Sequence, residues 1–192
     1  DAKLIHISTD YVFSGVSDSP WSENAILSPI SAYGRTKADG ERLVLDAYAE
    51  GTYLVRTSWL YSPWGTNFVK TMIKIALQDS KVIKVVNDQI GQPTSASDLA
   101  SQIYTMTDKN LTPGIYHGTN SGKASWFELA QMVFSLLGQN VMRIEPISSE
   151  EFTRPANRPA YSVLGHENWN LKGVNPMKNW RTALEEAFPA LL

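Results

Sequence analysis

The chain contains no cysteine. That removes disulfides, thiolate nucleophiles and Cys-ligated zinc together, so any redox chemistry here would need a borrowed cofactor. Long apolar runs are missing too: none approaches the roughly 18 to 20 residues of a spanning helix, and the first residues carry no signal-peptide pattern. The expected location is cytoplasmic, away from membranes. Charge of one sign is also lacking. The 17 basic and 19 acidic residues are scattered without blocks and leave a formal net charge of −2, with no electrostatic footprint of a nucleic-acid or membrane-surface binder. A small molecule is the expected partner. His6, His117 and His166 show no metal-ligand spacing and no Ser-His-Asp arrangement, so no metal site is assigned.

A glycine-rich turn behind a first strand, where backbone closes on a pyrophosphate, is absent as well. Gly114, Gly118 and Gly122 have the wrong spacing for it and come late in the chain. The opening run Lys3-Leu4-Ile5-His6-Ile7-Ser8 reads as a short buried strand with no lead-in of its own, so the natural chain is expected to begin earlier.

What is present is a globular pattern of 192 residues, 43% hydrophobic, long enough for one large domain or two small ones. Strand-like runs at 4–7, 52–57, 82–86, 115–117 and 141–147 alternate with helical periodicity at 31–49, 67–77, 97–106, 126–137 and 177–188, and Ser148 or Ser149 with Glu151 suggests a short helix start. The first long helix carries Leu43, Val44 and Ala47 on one side. Strand, helix and strand joined by short links predict a parallel βαβ unit and an α/β class. Ser62-Pro63-Trp64-Gly65 marks a candidate boundary between a sheet-building half, 1–65, and a smaller lobe, 66–192, expected to interleave.

Tyr33-Gly34-Arg35-Thr36-Lys37 places a phenol and an ammonium four residues apart, on one face of a helix. Such a pair suits a proton donor assisted by a cation, since a nearby positive charge pulls a tyrosine down from its usual value near 10. Taken alone the pair reads as an exposed helix face. Ser8-Thr9-Asp10 adds a hydroxyl just past the end of the first strand, where ligands bind in open α/β sheets. Taken alone it reads as turn chemistry. Strand end, hydroxyl, long loop, Tyr-x-x-x-Lys helix and strand form a far more specific string than either part.

That string resembles the active-site half of an extended short-chain dehydrogenase/reductase. Ser8-Thr9-Asp10-Tyr11-Val12-Phe13, Arg56-Thr57-Ser58-Trp59, Asn87-Asp88-Gln89 with Gly91, Pro93 and Thr94, and Arg158-Pro159 with Ser162 and Leu164 narrow the likeness to the dTDP-4-dehydrorhamnose reductase family, over essentially the whole chain. The resemblance implies the C-terminal part of a Rossmann-like doubly wound parallel sheet plus a smaller α/β lobe, without the N-terminal cofactor-binding segment. It implies NADPH, or NADH, as cofactor and a nucleotide sugar as partner, with a homodimer as a candidate assembly. Thr9, Tyr33 and Lys37 take the catalytic positions, and Tyr33, Lys37 and Ser8 face the cofactor. Tyr11, Phe13, Trp59, Asn87, Gln89, Thr94 and Arg158 are the candidate substrate contacts. The implied reaction is reduction of a 4-keto sugar for cell-surface polysaccharide, with the fragment inactive by itself. Alternatives are another sugar-nucleotide epimerase or reductase, or a non-catalytic regulatory subunit similar to the β subunit of methionine adenosyltransferase. Dehydratases of the wider family resemble an Asp-Glu pattern after the hydroxyl, and Asp10-Tyr11 departs from it.

Overall fold

The computed structural model describes residues 2–78, 80–152 and 155–192. In chain order it runs β1 (Leu4–Thr9), α1 (Ala32–Tyr48), β2 (Thr52–Thr57), β3 (Leu60–Tyr61), α2 (Phe68–Gln78), β4 (Ile83–Val86), β5 (Ile90–Gly91), β6 (Thr94–Ser95), α3 (Ala96–Asp108), β7 (Gly114–His117), β8 (Ala124–Ser125), α4 (Trp126–Leu136), β9 (Ile144–Ile147), α5 (Glu167–Leu171) and α6 (Trp180–Leu191).

β1, β2 and β7 form a parallel sheet in the order β1-β2-β7. Every residue of the central strand β2 is buried, which suits the unbroken run Tyr53-Leu54-Val55 at its middle. The register sets Thr9 opposite Thr57, so β1 and β2 end side by side and their polar ends open one cleft. β1 lies at the sheet margin, with Leu4 and Ile7 41% and 38% exposed. β7 reaches this sheet from beyond residue 65, so chain from both sides of the expected boundary builds it.

α1 begins at an N-cap, Ser31, whose hydroxyl accepts the Gly34 N–H at 3.0 Å. Its packed side departs from the expectation: Leu43 is 59% exposed, whereas Gly34 and Glu41 are buried. The reason is polar. A buried cation from β2 draws Glu41 inward, and the helix turns the face bearing residues 34 and 41 to the sheet.

A second core joins α2, α4 and α6 to β4 and β9, with Val69, Met72, Leu129, Val133, Phe134 and Leu184 at its centre. α4 starts in a capping box: Ser125 Oγ accepts from the Glu128 backbone and Glu128 accepts from the Ser125 backbone. The short ladders β3-β6 and β5-β8 tie the regions together. The expected strand over 141–147 divides into a one-turn 3₁₀ helix, Val141–Arg143, and β9. Ser148 and Glu151 make cap-like hydrogen bonds, and the described residues 149–152 that follow are bends rather than helix. α6 starts three residues later than its periodicity suggested, because Asn179 supplies the cap. The brief α5 was not foreseen; its anchor is Trp169, fully enclosed and donating to the His117 carbonyl at 2.8 Å.

Candidate active site

β1 ends at Thr9, which caps the single turn Asp10–Val12 by accepting the Tyr11 N–H at 3.3 Å. The Thr9 hydroxyl donates to Asp10 Oδ1 at 2.9 Å. Burial pushes the Asp10 carboxyl up to about 6, against the pull of the Ser162 and Thr9 hydroxyls toward the charged form. Asp10 Oδ2 and Thr57 Oγ1 are both buried with no hydrogen-bond partner among the described residues.

α1 comes unusually close to this turn because residue 34 is glycine. A Cβ there would lie 2.2 Å from the Tyr11 carbonyl oxygen, so any larger residue would push the helix away. The approach sets the Tyr33 ring edge-on to Tyr11, with centroids 5.8 Å apart and the planes at 76°. Tyr33 is 55% exposed. One turn on, Lys37 Nζ donates to the Ile7 carbonyl at 2.6 Å, which fixes the ammonium at the strand end. Thr9, Tyr33 and Lys37 thus line a single cleft of about 460 Å³ together with Asp10, Tyr11, Thr57, Trp59, Trp126 and Arg158.

Beneath the cleft lies a buried polar cluster. Ser8 Oγ donates to Glu41 Oε1. Arg56 Nη2 and Nε reach the same carboxylate at 2.8 and 3.0 Å, and Arg56 Nη1 donates to the Glu23 carbonyl at 3.0 Å. Arg56 Nη1 also lies 3.3 Å from His117 Nε2, while His117 Nδ1 lies 2.9 Å from the Gly165 carbonyl. Arginine has only donors and a carbonyl only accepts, so the neutral ring carries its proton on Nδ1. Burial, and then the Arg56 charge, push His117 down to about 3. The Ser8 hydroxyl proton goes to Glu41, and Ser8 lies in the cleft wall. Sequence reasoning left Glu41 unassigned; its place eight residues after Tyr33 and four after Lys37, on the same helix face, was the available signal.

Trp59 closes another side. Its φ of 45° is a conformation that side chains rarely adopt, and its ring stacks on Trp126 at 3.6 Å and 9°. The pair fits because residue 91 is glycine: a Cβ there would sit 2.5 Å from Trp59 Cε2. Trp126 itself read only as a helix start in the sequence. It also lines an adjoining cavity of about 400 Å³, largely apolar, with Phe68, Met72, Ile83 and Phe152. Gln89 and Arg158 stand at that cavity, and Arg158 lines the cleft of Thr9, Tyr33 and Lys37 too.

Of the expected substrate contacts, Phe13 and Thr94 are enclosed and Asn87 is engaged in a loop contact. Phe13 is wholly enclosed, stacked on Trp21 at 4.8 Å with the Arg56 guanidinium 5.1 Å from its ring, so it is core. Thr94 is also fully buried; its hydroxyl donates to the Gln92 carbonyl at 3.1 Å and its N–H to the Trp59 carbonyl at 3.2 Å, so it braces Trp59 from behind. Asn87 Oδ1 accepts from Ser125 Oγ at 2.7 Å and joins its loop to the start of α4.

The profile of a family described as "RmlD substrate binding domain" matches residues 1–192. A Streptomyces niveus protein named dTDP-4-keto-6-deoxy-D-glucose reductase is 46% identical over 98% of this chain and 65% of its own length. A dTDP-4-dehydrorhamnose reductase of Streptomyces griseus is 44% identical over 99% of this chain and 64% of its own. The chain thus spans just under two thirds of the length of these relatives. A crystal structure of dTDP-4-dehydrorhamnose reductase from Bacillus anthracis in complex with NADP superposes with a TM-score of 0.93 at 42% identity, over 98% of this chain and 66% of that one. A dTDP-glucose 4,6-dehydratase from the same organism shares the fold at a TM-score of 0.80 and 20% identity. Among the described residues, no helix is long and apolar enough to cross a membrane.

Proposed function

Because the chain belongs to the RmlD substrate-binding-domain family, we propose that the intact protein reduces the 4-keto group of a dTDP-linked 6-deoxyhexose, dTDP-4-dehydrorhamnose foremost, giving dTDP-L-rhamnose for cell-surface polysaccharide. The observation that carries this reading is the convergence of Thr9, Tyr33 and Lys37 on one cleft at the ends of parallel strands. The proposal extends to a cytoplasmic, homodimeric enzyme whose residues 1–65 mainly form the active-site half and 66–192 the substrate lobe.

Tyr33 holds an exposed phenol from which the carbonyl oxygen takes its proton, and Thr9 is the second hydrogen-bond donor to that oxygen as charge gathers on it. Lys37, held at the end of β1, keeps a positive charge beside both. A nicotinamide cofactor suits this wall, because Lys37 and Tyr33 open to the cleft and Thr57 Oγ1 is a buried hydroxyl with no partner among the described residues. Bound there, NADPH or NADH supplies the hydride. The stacked Trp59 and Trp126 offer a flat surface to the sugar, and the adjoining apolar cavity takes the base. Arg158, between the two spaces, presents its planar fork to the diphosphate.

The test is turnover of dTDP-4-dehydrorhamnose by the intact protein. Tyr33→Phe should lower kcat by roughly two to four orders of magnitude while leaving KM nearly unchanged. The relative named for the D-glucose epimer makes dTDP-4-keto-6-deoxy-D-glucose the second substrate to assay. Wild-type protein that reduces neither sugar overturns the reading, and normal turnover by Tyr33→Phe removes Tyr33 from its role.

A further inference from the structure

Thr9 has one hydroxyl proton, and in this structure that proton is already committed to Asp10 Oδ1, 2.9 Å away. The Thr9 oxygen meanwhile accepts the Tyr11 N–H at 3.3 Å. An ionised carboxylate can only accept hydrogen bonds, so while Asp10 is charged Thr9 has no proton to offer an oxygen in the cleft. A neutral carboxyl reverses the bond. Its O–H donates to Thr9 Oγ1, and the hydroxyl proton of Thr9 is released toward the cleft. The site is built for the neutral form: Asp10 is 2% exposed, and Oδ2 is buried with no hydrogen-bond partner among the described residues.

We propose that Asp10 is the positioning residue of Thr9, its neutral carboxyl freeing the Thr9 hydroxyl to donate to the reacting oxygen and its carboxylate withdrawing that donor. The inference rests on the ketone reduction proposed above. It transfers no atom: the carboxyl proton stays on Asp10, and Tyr33 remains the source of the proton that the product keeps. The titratable and charged groups lining the same cleft are Tyr11 on the Asp10 turn, Tyr33 and Lys37 from α1 and Arg158 from the C-terminal region; β2 brings Thr57 and Ser58. What moves the carboxyl is burial, to about 6, with the Ser162 and Thr9 hydroxyls and local backbone N–H groups opposing it. The change of state is therefore expected near pH 6.

The experiment has two arms on the intact protein. In the first, kcat is followed from about pH 5 to about pH 8 with cofactor and keto sugar saturating. Wild type should show an inflection near the Asp10 value, kcat falling as pH rises by up to roughly tenfold per unit. Asp10→Asn and Thr9→Val should both lack it. In the second arm, carboxyl-carbon NMR follows Asp10 without substrate. Its midpoint should lie well above an ordinary aspartate and move higher in Thr9→Val, because a hydroxyl that favours the carboxylate has been removed. Thr9→Val carries the test if Asp10→Asn does not fold. An inflection that survives Thr9→Val, or an Asp10 carboxyl titrating in the ordinary range near 4, overturns the proposal. A protein that reduces no keto sugar refutes the functional reading instead, and the NMR arm still decides the coupling of Asp10 to Thr9.

Discussion

Arg56 and Glu41 form an ion pair with a 2.8 Å contact, both side chains only 2% exposed, and it fastens α1 to the central strand. Glu41 belongs to α1, the helix that bears Tyr33 and Lys37, and Arg56 immediately precedes the cleft residues Thr57 to Trp59. Ser8 joins them from β1, one residue before Thr9. The three elements that line the cleft, β1, α1 and β2, are thus held by one buried carboxylate.

Removing one partner leaves the other charge buried without compensation, so Glu41→Ala should cost about 3 to 5 kcal/mol in the unfolding free energy of the intact protein. Glu41→Gln keeps the shape and part of the hydrogen bonding and should cost less. Urea denaturation distinguishes them, and equal effects would show that the charge is irrelevant.

Gly91→Ala should disturb substrate binding more than folding topology. The added Cβ would meet Trp59 Cε2 at 2.5 Å, with the facing Trp126 ring 3.6 Å away by centroids. The indole must move, at an expected cost of about 1 to 3 kcal/mol for an overpacked site. A raised KM for the keto sugar with unchanged cofactor affinity is the expected pattern; unchanged KM would detach Trp59 from the sugar.

Arg158→Ala should weaken binding of dTDP itself, by about 1.5 to 3 kcal/mol for lost charge-assisted hydrogen bonds. Calorimetric titration with the nucleotide measures this without turnover. Unaltered affinity would return Arg158 to an ordinary surface role.

Acid should destabilise the fold through its histidines. Burial pushes His117 down to about 3 and His166 down to about 4, from an ordinary 6.5. Both folded values are lowered, so this stability is fully present above 6.5 and is lost as pH falls through the folded values. At pH 5 each histidine held neutral should cost about 2 kcal/mol. Asp10, raised to about 6 from 3.8, acts with opposite sign, its contribution falling as pH rises over that interval. His117→Gln, which can still accept from Arg56 and donate to Gly165, should flatten the dependence of the thermal midpoint between pH 7 and pH 5. An undiminished slope would assign the effect elsewhere.

The sequence by itself determined the parallel βαβ frame and the residue types at its end. A strand, a hydroxyl, a helix bearing Tyr33 and Lys37 and a second strand are local patterns, and periodicity with residue spacing suffices to place them on one cleft rim. It also marked Trp59 and Arg158 as candidates. The tertiary structure alone decided which polar residues face inward. Phe13 and Thr94 carry the right side chains for substrate contact yet are core, because strand register and the packing of Trp21 and Trp59 enclose them. Glu41, unassigned in the sequence, has its role from Arg56, fifteen residues away along the chain. Trp126 reached the cleft only when α4 packed across Trp59, and the start of α1 closes on the Asp10 turn only because Gly34 lets it approach. Burial and long-range pairing depend on the whole fold, and no local spacing encodes them.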